Sequence, residues 1–247
     1  MAELTGVQAR FVTGTIMPTG ADRLSNPQPE PLLPADIRNV SVSLDIADYT
    51  KECVEESICD RYWPCVGELV AHGVQRITIA GLPVAGQLGR KRILELQNET
   101  TRKTGIETDS QAEATIAALK HLGTVSVAIA SRWPQQLNDQ LKDYFEDAGI
   151  EIMTITSAEQ WGEQAFSMSI EQGVKLAFQL GREAMRRAPT AQALLLAGGA
   201  WRSLAAVPIL EEDFGIPVIT NPIAPVWRLI NKGIAPPVEG WGILMRG

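Results

Sequence analysis

Residues 193–230 read as one uninterrupted strand, turn, helix, strand and helix, and no other stretch constrains the fold as much. Ala193 to Ala197 is an apolar run of strand length, and Gly198 and Gly199 break it. Apolar residues then return at helical spacing through Leu204, Val207, Ile209 and Leu210. Glu211, Glu212 and Asp213 form the wet side of that helix, Gly215 stops it, and Ile216 to Thr220 is a second buried-type strand ending at Asn221-Pro222. A β-α-β unit implies parallel strands. In an open parallel sheet ligands sit beyond the carboxyl ends of the strands, which directs attention to the turns at Gly198-Gly199-Ala200-Trp201-Arg202 and Thr220-Asn221-Pro222.

The same pattern occurs earlier in the chain. Arg76 to Ala80 is a buried-type strand stopped by Gly81-Leu82-Pro83, followed by a helix expected from about Arg90 to Lys103 and a short strand near Gly105 to Thr108. Arg10 to Ile16 precedes the turn Met17-Pro18-Thr19-Gly20, just as Val125 to Ala130 precedes Arg132-Trp133-Pro134. Asn39 to Leu44 reads as a strand. The span from Asp48 to Ala71 is expected as two helices or one kinked helix, interrupted at Pro64. The second half continues with a helix over 135–148, a strand over 150–155 and a helix over 170–187. A duplicated α/β unit explains this economically: two pseudo-symmetric Rossmann-like halves with mainly parallel sheets, residues 1–117 and 118–222, enclosing an interdomain cleft, with 223–247 packing back on the first half. Gly81 and Gly198 then stand at equivalent turns. Pro27, Pro29, Pro31 and Pro34 make the stretch before the second strand a surface loop or lid.

Composition narrows the function. A net charge of −7 and no basic run longer than Arg90-Lys91-Arg92 argue against nucleic acid. No apolar run reaches the roughly 18 residues that span a bilayer, and the N-terminus lacks a secretory pattern, so a cytoplasmic address is expected without membrane contact. Cys53, Cys59 and Cys65 match no metal or redox spacing, and His72 and His121 are the only histidines, each placed as at a helix end. Gly81-x4-Gly86-x2-Gly89 departs from the dinucleotide fingerprint and no phosphate loop occurs, so no nucleotide cofactor and no metal is expected.

The run from Leu194 to Ile230, above all the spacing from Pro208-Ile209-Leu210-Glu211 to Gly215-Ile216-Pro217-Val218, resembles the aspartate/glutamate racemase superfamily, in its arylmalonate decarboxylase and maleate cis-trans isomerase branch. The resemblance implies a cofactor-free enzyme of two α/β halves that works on a carbon acid beside a carboxylate. Its racemases and isomerases place a cysteine in each half and its decarboxylases keep the one in the second half. The matching positions here are Gly81 and Gly198, and glycine can neither protonate an enolate nor attack a double bond. Leu82 and Pro83 stand where the decarboxylases place donors to the enediolate, and Trp133 stands in place of a tyrosine. The reading is a decarboxylase-like lyase for a small organic diacid with a proton donor other than cysteine. The alternatives are an isomerase, hydratase or hydrolase of an unsaturated acid, and a non-catalytic carboxylate binder. A small carboxylate is the expected partner, and self-association into a homo-oligomer is left open.

Candidate residues follow. Asp109 is the candidate general acid or base if burial raises its pKa, with the N-cap of a helix near Gln111 as the structural alternative. Arg132 and Arg202 each follow a strand and could pair with a carboxylate. Their neighbours Trp133 and Trp201 suggest an aromatic crevice, or ordinary packing. Met17, Pro18, Thr19, Gly81, Leu82, Gly198 and Asn221 line the turns, and the N–H groups of Gly199 and Ala200 form an anion nest.

Overall fold

A computed structural model describes residues 9–20, 32–160, 164, 167–198 and 201–246. In chain order the elements are β1 (Phe11–Met17), β2 (Ile37–Ser43), α1 (Lys51–Ala71), β3 (Arg76–Ile79), α2 (Leu82–Thr104), β4 (Glu107–Ser110) and α3 (Gln111–His121). The second half follows with β5 (Ser126–Ser131), α4 (Gln135–Asp147), β6 (Glu151–Ser157), α5 (Ile170–Arg187) and β7 (Ala193–Ala197). It closes with a 3₁₀ turn over Leu204–Ala206, α6 (Val207–Phe214), β8 (Val218–Thr220), α7 (Ile223–Asn231) and a 3₁₀ turn over Ile243–Arg246. Two four-stranded sheets result, ordered β2-β1-β3-β4 and β6-β5-β7-β8. Every pairing is parallel. The orders superpose strand for strand, so β1 corresponds to β5 and β3 to β7, and the duplication expected from the sequence is the architecture of the chain.

The two sheets bury their faces differently. In the second, Val127, Ile129, Leu195 and Ile219 enter a core with α3, α4 and α7, while Ala128, Ala130, Leu194, Leu196 and Val218 enter another with residues of α5 and α6. Helices on both sides make these strands near-continuous apolar runs. In the first, Ile16, Val42, Ile77 and Ile79 pack on residues of α1 and α2. Thr13, Thr15, Asn39 and Ser41 share the opposite face in a hydrogen-bonded set, with Asn39 Oδ1 accepting from Thr13 and Thr15 at 2.7 and 2.9 Å. Alternation along FVTGTIM records this one-sided burial.

One local expectation is narrowed and two are corrected. Of the two helices or one kinked helix expected over 48–71, the chain forms one helix that includes Pro64. Helix α2 starts directly after Gly81, with Pro83 in its first turn where a missing N–H costs nothing. A break at Gly89 (φ 75°, ψ 158°) separates that first segment from the stretch read as helix in the sequence. The N-cap of α3 is Ser110, whose hydroxyl accepts from Glu113 N, and Asp109 belongs to β4. The proline-rich expectation over 27–31 lies outside the described residues.

The halves are tied together by more than their order. Val127 and Ile129 of β5 share one buried cluster with Leu82 and Ala85 of α2 and with Ala112 and Ile116 of α3. His121 of α3 stacks on Trp227 of α7 at 5.2 Å between ring centroids. Tyr144 of α4 donates to Glu113 of α3 at 3.0 Å, and Arg90 of α2 meets the same carboxylate at 2.9 Å. The chain after α7 returns to the second half, where the buried Glu211 carboxylate accepts from Val218 N and Ile243 N. No helix among the described residues is long and apolar enough to cross a membrane.

Candidate active site

The carboxyl ends of β3 and β7 place Gly81 and Gly198 at matching turns, and both take positive φ, 97° and 144°. That conformation strains any L side chain, so the backbone itself calls for glycine. Each turn is fixed by an amide from the residue after the neighbouring strand. Gly81 N donates to Gln111 Oε1 at 3.0 Å and Gly198 N donates to Asn221 Oδ1 at 3.2 Å. Gln111 Nε2 then donates to Asn221 O at 2.8 Å, joining the two turns through one relay. Both glycine N–H groups are thereby committed to protein acceptors.

The space at the two turns differs. A Cβ on Gly81 would meet Pro18 Cγ at 2.6 Å and Val84 at 3.2 Å, so the ring following β1 closes this turn. Among the described residues, a Cβ on Gly198 would meet nothing nearer than Trp201 Cβ at 3.4 Å and Arg132 Nε at 3.6 Å. Arg132, at the end of β5, is 2% exposed. Burial lowers its guanidinium to about 10, which leaves it cationic at neutral pH. Beside this turn Thr220 and Asn221 are buried, and Thr220 Oγ1 and Asn221 Nδ2 have no hydrogen-bond partner among the described residues. Buried polar atoms rarely stay unsatisfied, and a hydroxyl and an amide NH₂ can both donate to an anion.

The remaining candidates fall into three groups. Met17, Pro18 and Thr19 lie at the end of β1, where the Met17 and Pro18 carbonyls accept from Leu44 N and Ile46 N and pin the chain after β2. Leu82 and Trp201 are fully buried core residues, and the Trp201 indole donates to Gly173 O at 2.7 Å. Trp133 is 9% exposed and joins the cluster that holds Leu82 and Leu137. All three side chains lie in packed clusters, the arrangement of the packing alternative for the two tryptophans. A Cβ on Gly173 of α5 would meet the Arg202 backbone and Cβ at 3.2 Å. Gly199 and Ala200 lie outside the described residues.

Asp109 sits opposite Thr78, in the body of the sheet, with its carboxylate on Arg228 Nε of α7 at 2.8 Å and on Arg76 Nη2 at 3.1 Å. Glu107 extends the set to Arg76 and Lys232 at 2.8 and 2.9 Å. Burial pushes the Asp109 carboxyl above its ordinary range, and the two guanidiniums and the Ser110 N–H pull it back in part. Its geometry fastens α7 to the first sheet. Sequence reasoning missed Gln111 and Arg228, since Gln111 acts on Gly81 and Asn221, 30 and 110 positions away, and Arg228 acts on Asp109 of the other half, which leaves no local signal.

Comparison with known proteins places this geometry. A glycine-to-cysteine, cysteine-to-serine variant of arylmalonate decarboxylase in the liganded form aligns with a TM-score of 0.84 at 21% identity, covering 95% of this chain and 98% of that one. A Nocardia farcinica maleate cis-trans isomerase variant with a covalently bound succinylcysteine intermediate aligns with a TM-score of 0.80 at 20% identity, covering 96% and 98%. Arylmalonate decarboxylase of Bordetella bronchiseptica is 23% identical over 199 residues, 79% of this chain and 80% of the relative. The arylmalonate decarboxylase family profile matches residues 13–245. With two parallel four-stranded sheets and the turns of β3 and β7 joined between them, the chain belongs to the arylmalonate decarboxylase family.

Proposed function

We propose that the cleft binds a small organic diacid and decarboxylates it without a cofactor. The observation that carries this reading is the buried cation of Arg132 standing 3.6 Å from where a side chain on residue 198 would begin, at the turn joined to its pseudo-symmetric partner. Loss of carbon dioxide sends the electron pair of the breaking C–C bond into the retained carboxylate and makes it an enediolate. Charge that develops there is stabilised by donors already in place, here the Arg132 guanidinium, Thr220 Oγ1 and Asn221 Nδ2. The α-carbon then takes a proton. Neither residue 81 nor residue 198 carries a side chain, so water supplies it, and the hydroxide left behind combines with the released carbon dioxide as bicarbonate.

Water is a donor without a fixed face. A prochiral disubstituted malonate should therefore release carbon dioxide and give a nearly racemic monoacid. Gas release combined with chiral analysis of the product reads both points. Release with strong enantiomeric excess would sink the water step and require a positioned side-chain acid. Absence of release from every malonate and maleate-like diacid would sink the lyase reading and leave carboxylate binding as the role of the cleft. Addition of a nucleophile to a double bond, the isomerase alternative, has no thiol at residue 81 or 198 to begin from. Asp109 acts in this scheme as a positioning residue, holding the helix that follows Asn221.

A further inference from the structure

Two side chains away from the cleft repeat the duplication of the chain and bear on its glycine turns. Helices α2 and α6 both end at a left-handed glycine, Gly105 and Gly215, whose N–H donates to the carbonyl of Thr101 and of Glu211. The side chains of the same two residues turn back on the strand that follows. Thr101 Oγ1 accepts from Thr108 N at 3.1 Å and Glu211 Oε1 accepts from Val218 N at 3.0 Å, across 7 positions in each case. Strands β4 and β8 are outermost in their sheets, so each side chain takes an N–H that a further strand would otherwise take. From Thr108 to Gln111 and from Val218 to Asn221 the chain advances by the same number of residues, and there stand the amides that hold Gly81 N and Gly198 N. The halves differ in the group employed. Glu211 is buried and its other oxygen accepts from Ile243 N at 2.8 Å, so one carboxylate joins α6, β8 and the closing 3₁₀ turn.

We infer that Glu211 is a positioning residue of the second-half turn: by fixing where β8 begins it sets the level at which Asn221 Oδ1 meets Gly198 N. Thr101 does the same for Gln111 and Gly81 in the first half. The link is a strand of 3 residues, too short to absorb a shift at one end before the other end feels it. The Asn221 amide that receives the shift is the one whose Nδ2 faces the proposed ligand, so Glu211 governs ligand affinity and Thr101 does not. For affinity this rests on the proposed ligand site at the second turn; the effect on Gly198 N does not.

Amide hydrogen exchange at Gly81, Gly198 and Ile243, resolved by NMR, tests this without turnover. In Glu211→Ala exchange at Gly198 should rise about tenfold, the equivalent of about one hydrogen bond, while Gly81 stays within about twofold. Thr101→Val should give the reverse pattern, with a rise of about threefold at Gly81, because the half-buried Thr108 N can find water in place of the hydroxyl. Glu211→Gln keeps an oxygen for Val218 N and turns an NH₂ toward Ile243 N, so protection should fall at Ile243 and hold at Gly198. Equal acceleration at both glycines in Glu211→Ala would mean general loosening and overturns the inference, as does an unchanged Gly198. If Glu211→Ala does not fold, the other two variants decide: loss at Gly198 as large as at Ile243 in Glu211→Gln, or no loss at Gly81 in Thr101→Val, overturns it. Calorimetric titration with methylmalonate then reads affinity, expected to weaken about fivefold in Glu211→Ala and to hold in Glu211→Gln and Thr101→Val. Unchanged affinity in a folded Glu211→Ala overturns the link to the ligand. Absence of methylmalonate binding by the wild-type chain sinks the proposed ligand site and leaves hydrogen exchange to judge Glu211, so the two fail separately.

Discussion

The two glycine turns have the same backbone sign, the same amide support and the same place in their sheets, yet a side chain would clash at one and meet ordinary contact distances among the described residues at the other. At Gly81 the Pro18 ring stands 2.6 Å from where a Cβ would lie, and α2 begins immediately with Leu82 and Pro83, an apolar residue and one without an N–H. At Gly198 the nearest atoms among the described residues are 3.4 and 3.6 Å from where a Cβ would lie, and the second belongs to a guanidinium. Pseudo-symmetry of the chain thus does not carry over to its chemistry. The first turn is walled by Pro18, and the second has the Arg132 guanidinium beside it.

The largest test of that difference is a cysteine placed at each turn. Gly81→Cys must displace Pro18 as well as strain the backbone, so a loss of about 3 kcal/mol is expected, against about 1–2 kcal/mol for Gly198→Cys where strain acts almost alone. Urea midpoints of the two variants measure this, and equal losses would erase the distinction. The next test is chemical. A thiol at residue 198 lies beside the Arg132 guanidinium, which favours the thiolate. Its alkylation by iodoacetamide should reach half-maximal rate at least about one pH unit below the ~8.5 of a free cysteine. Adding Arg132→Met should return it to the ordinary range. An unshifted midpoint in Gly198→Cys would mean that Arg132 does not reach the turn.

Smaller effects probe the supports. Gln111→Ala leaves Gly81 N without its acceptor and Asn221 O without its donor, for an expected loss of about 1–2 kcal/mol. Asn221→Ala removes one acceptor and should cost about 1 kcal/mol in stability, with a further loss in diacid affinity that Gln111→Ala does not share. If the two substitutions weaken ligand binding alike, the functional contrast between the turns fails. The smallest effect is in pH. Burial holds Asp109 above its ordinary value of 3.8, so the folded chain binds that proton more tightly than the unfolded one. The stability it contributes is complete below pH 3.8 and is lost as the pH rises through the raised value. Asp109→Asn should flatten the stability profile across this window, and an unchanged profile would place the raised value elsewhere.

Legibility in the sequence followed the range of the forces involved. Helix α5 is bounded where the sequence reading put it because its start is local: Ser169 and Gln172 form a capping box next to the first apolar positions. Strand β7 is visible because both faces are buried and five residues in a row are apolar. The start of α2 was missed because Gly86 and Gly89 weaken any local helix signal, whereas in the fold Gly86 lies against Gln140 and Leu141 of α4. Trp201 followed a turn and looked like a cleft residue, but its direction is set by a carbonyl on α5, 28 positions away. Arg132 was visible as a candidate, while its placement beside Gly198 depends on strand order and could emerge only from the folded chain.

The last helix of the chain, α7, follows the second sheet in sequence and clasps the first, through Arg228 on Asp109 and Trp227 on His121. Each half therefore buries part of its apolar surface against the other. Fragments cut between α3 and β5 would each expose part of one shared apolar surface, and the shorter path to solubility is reassociation. The duplicated architecture lends itself to complementation in two pieces, with the clasp of α7 as the contact by which each piece recognises the other.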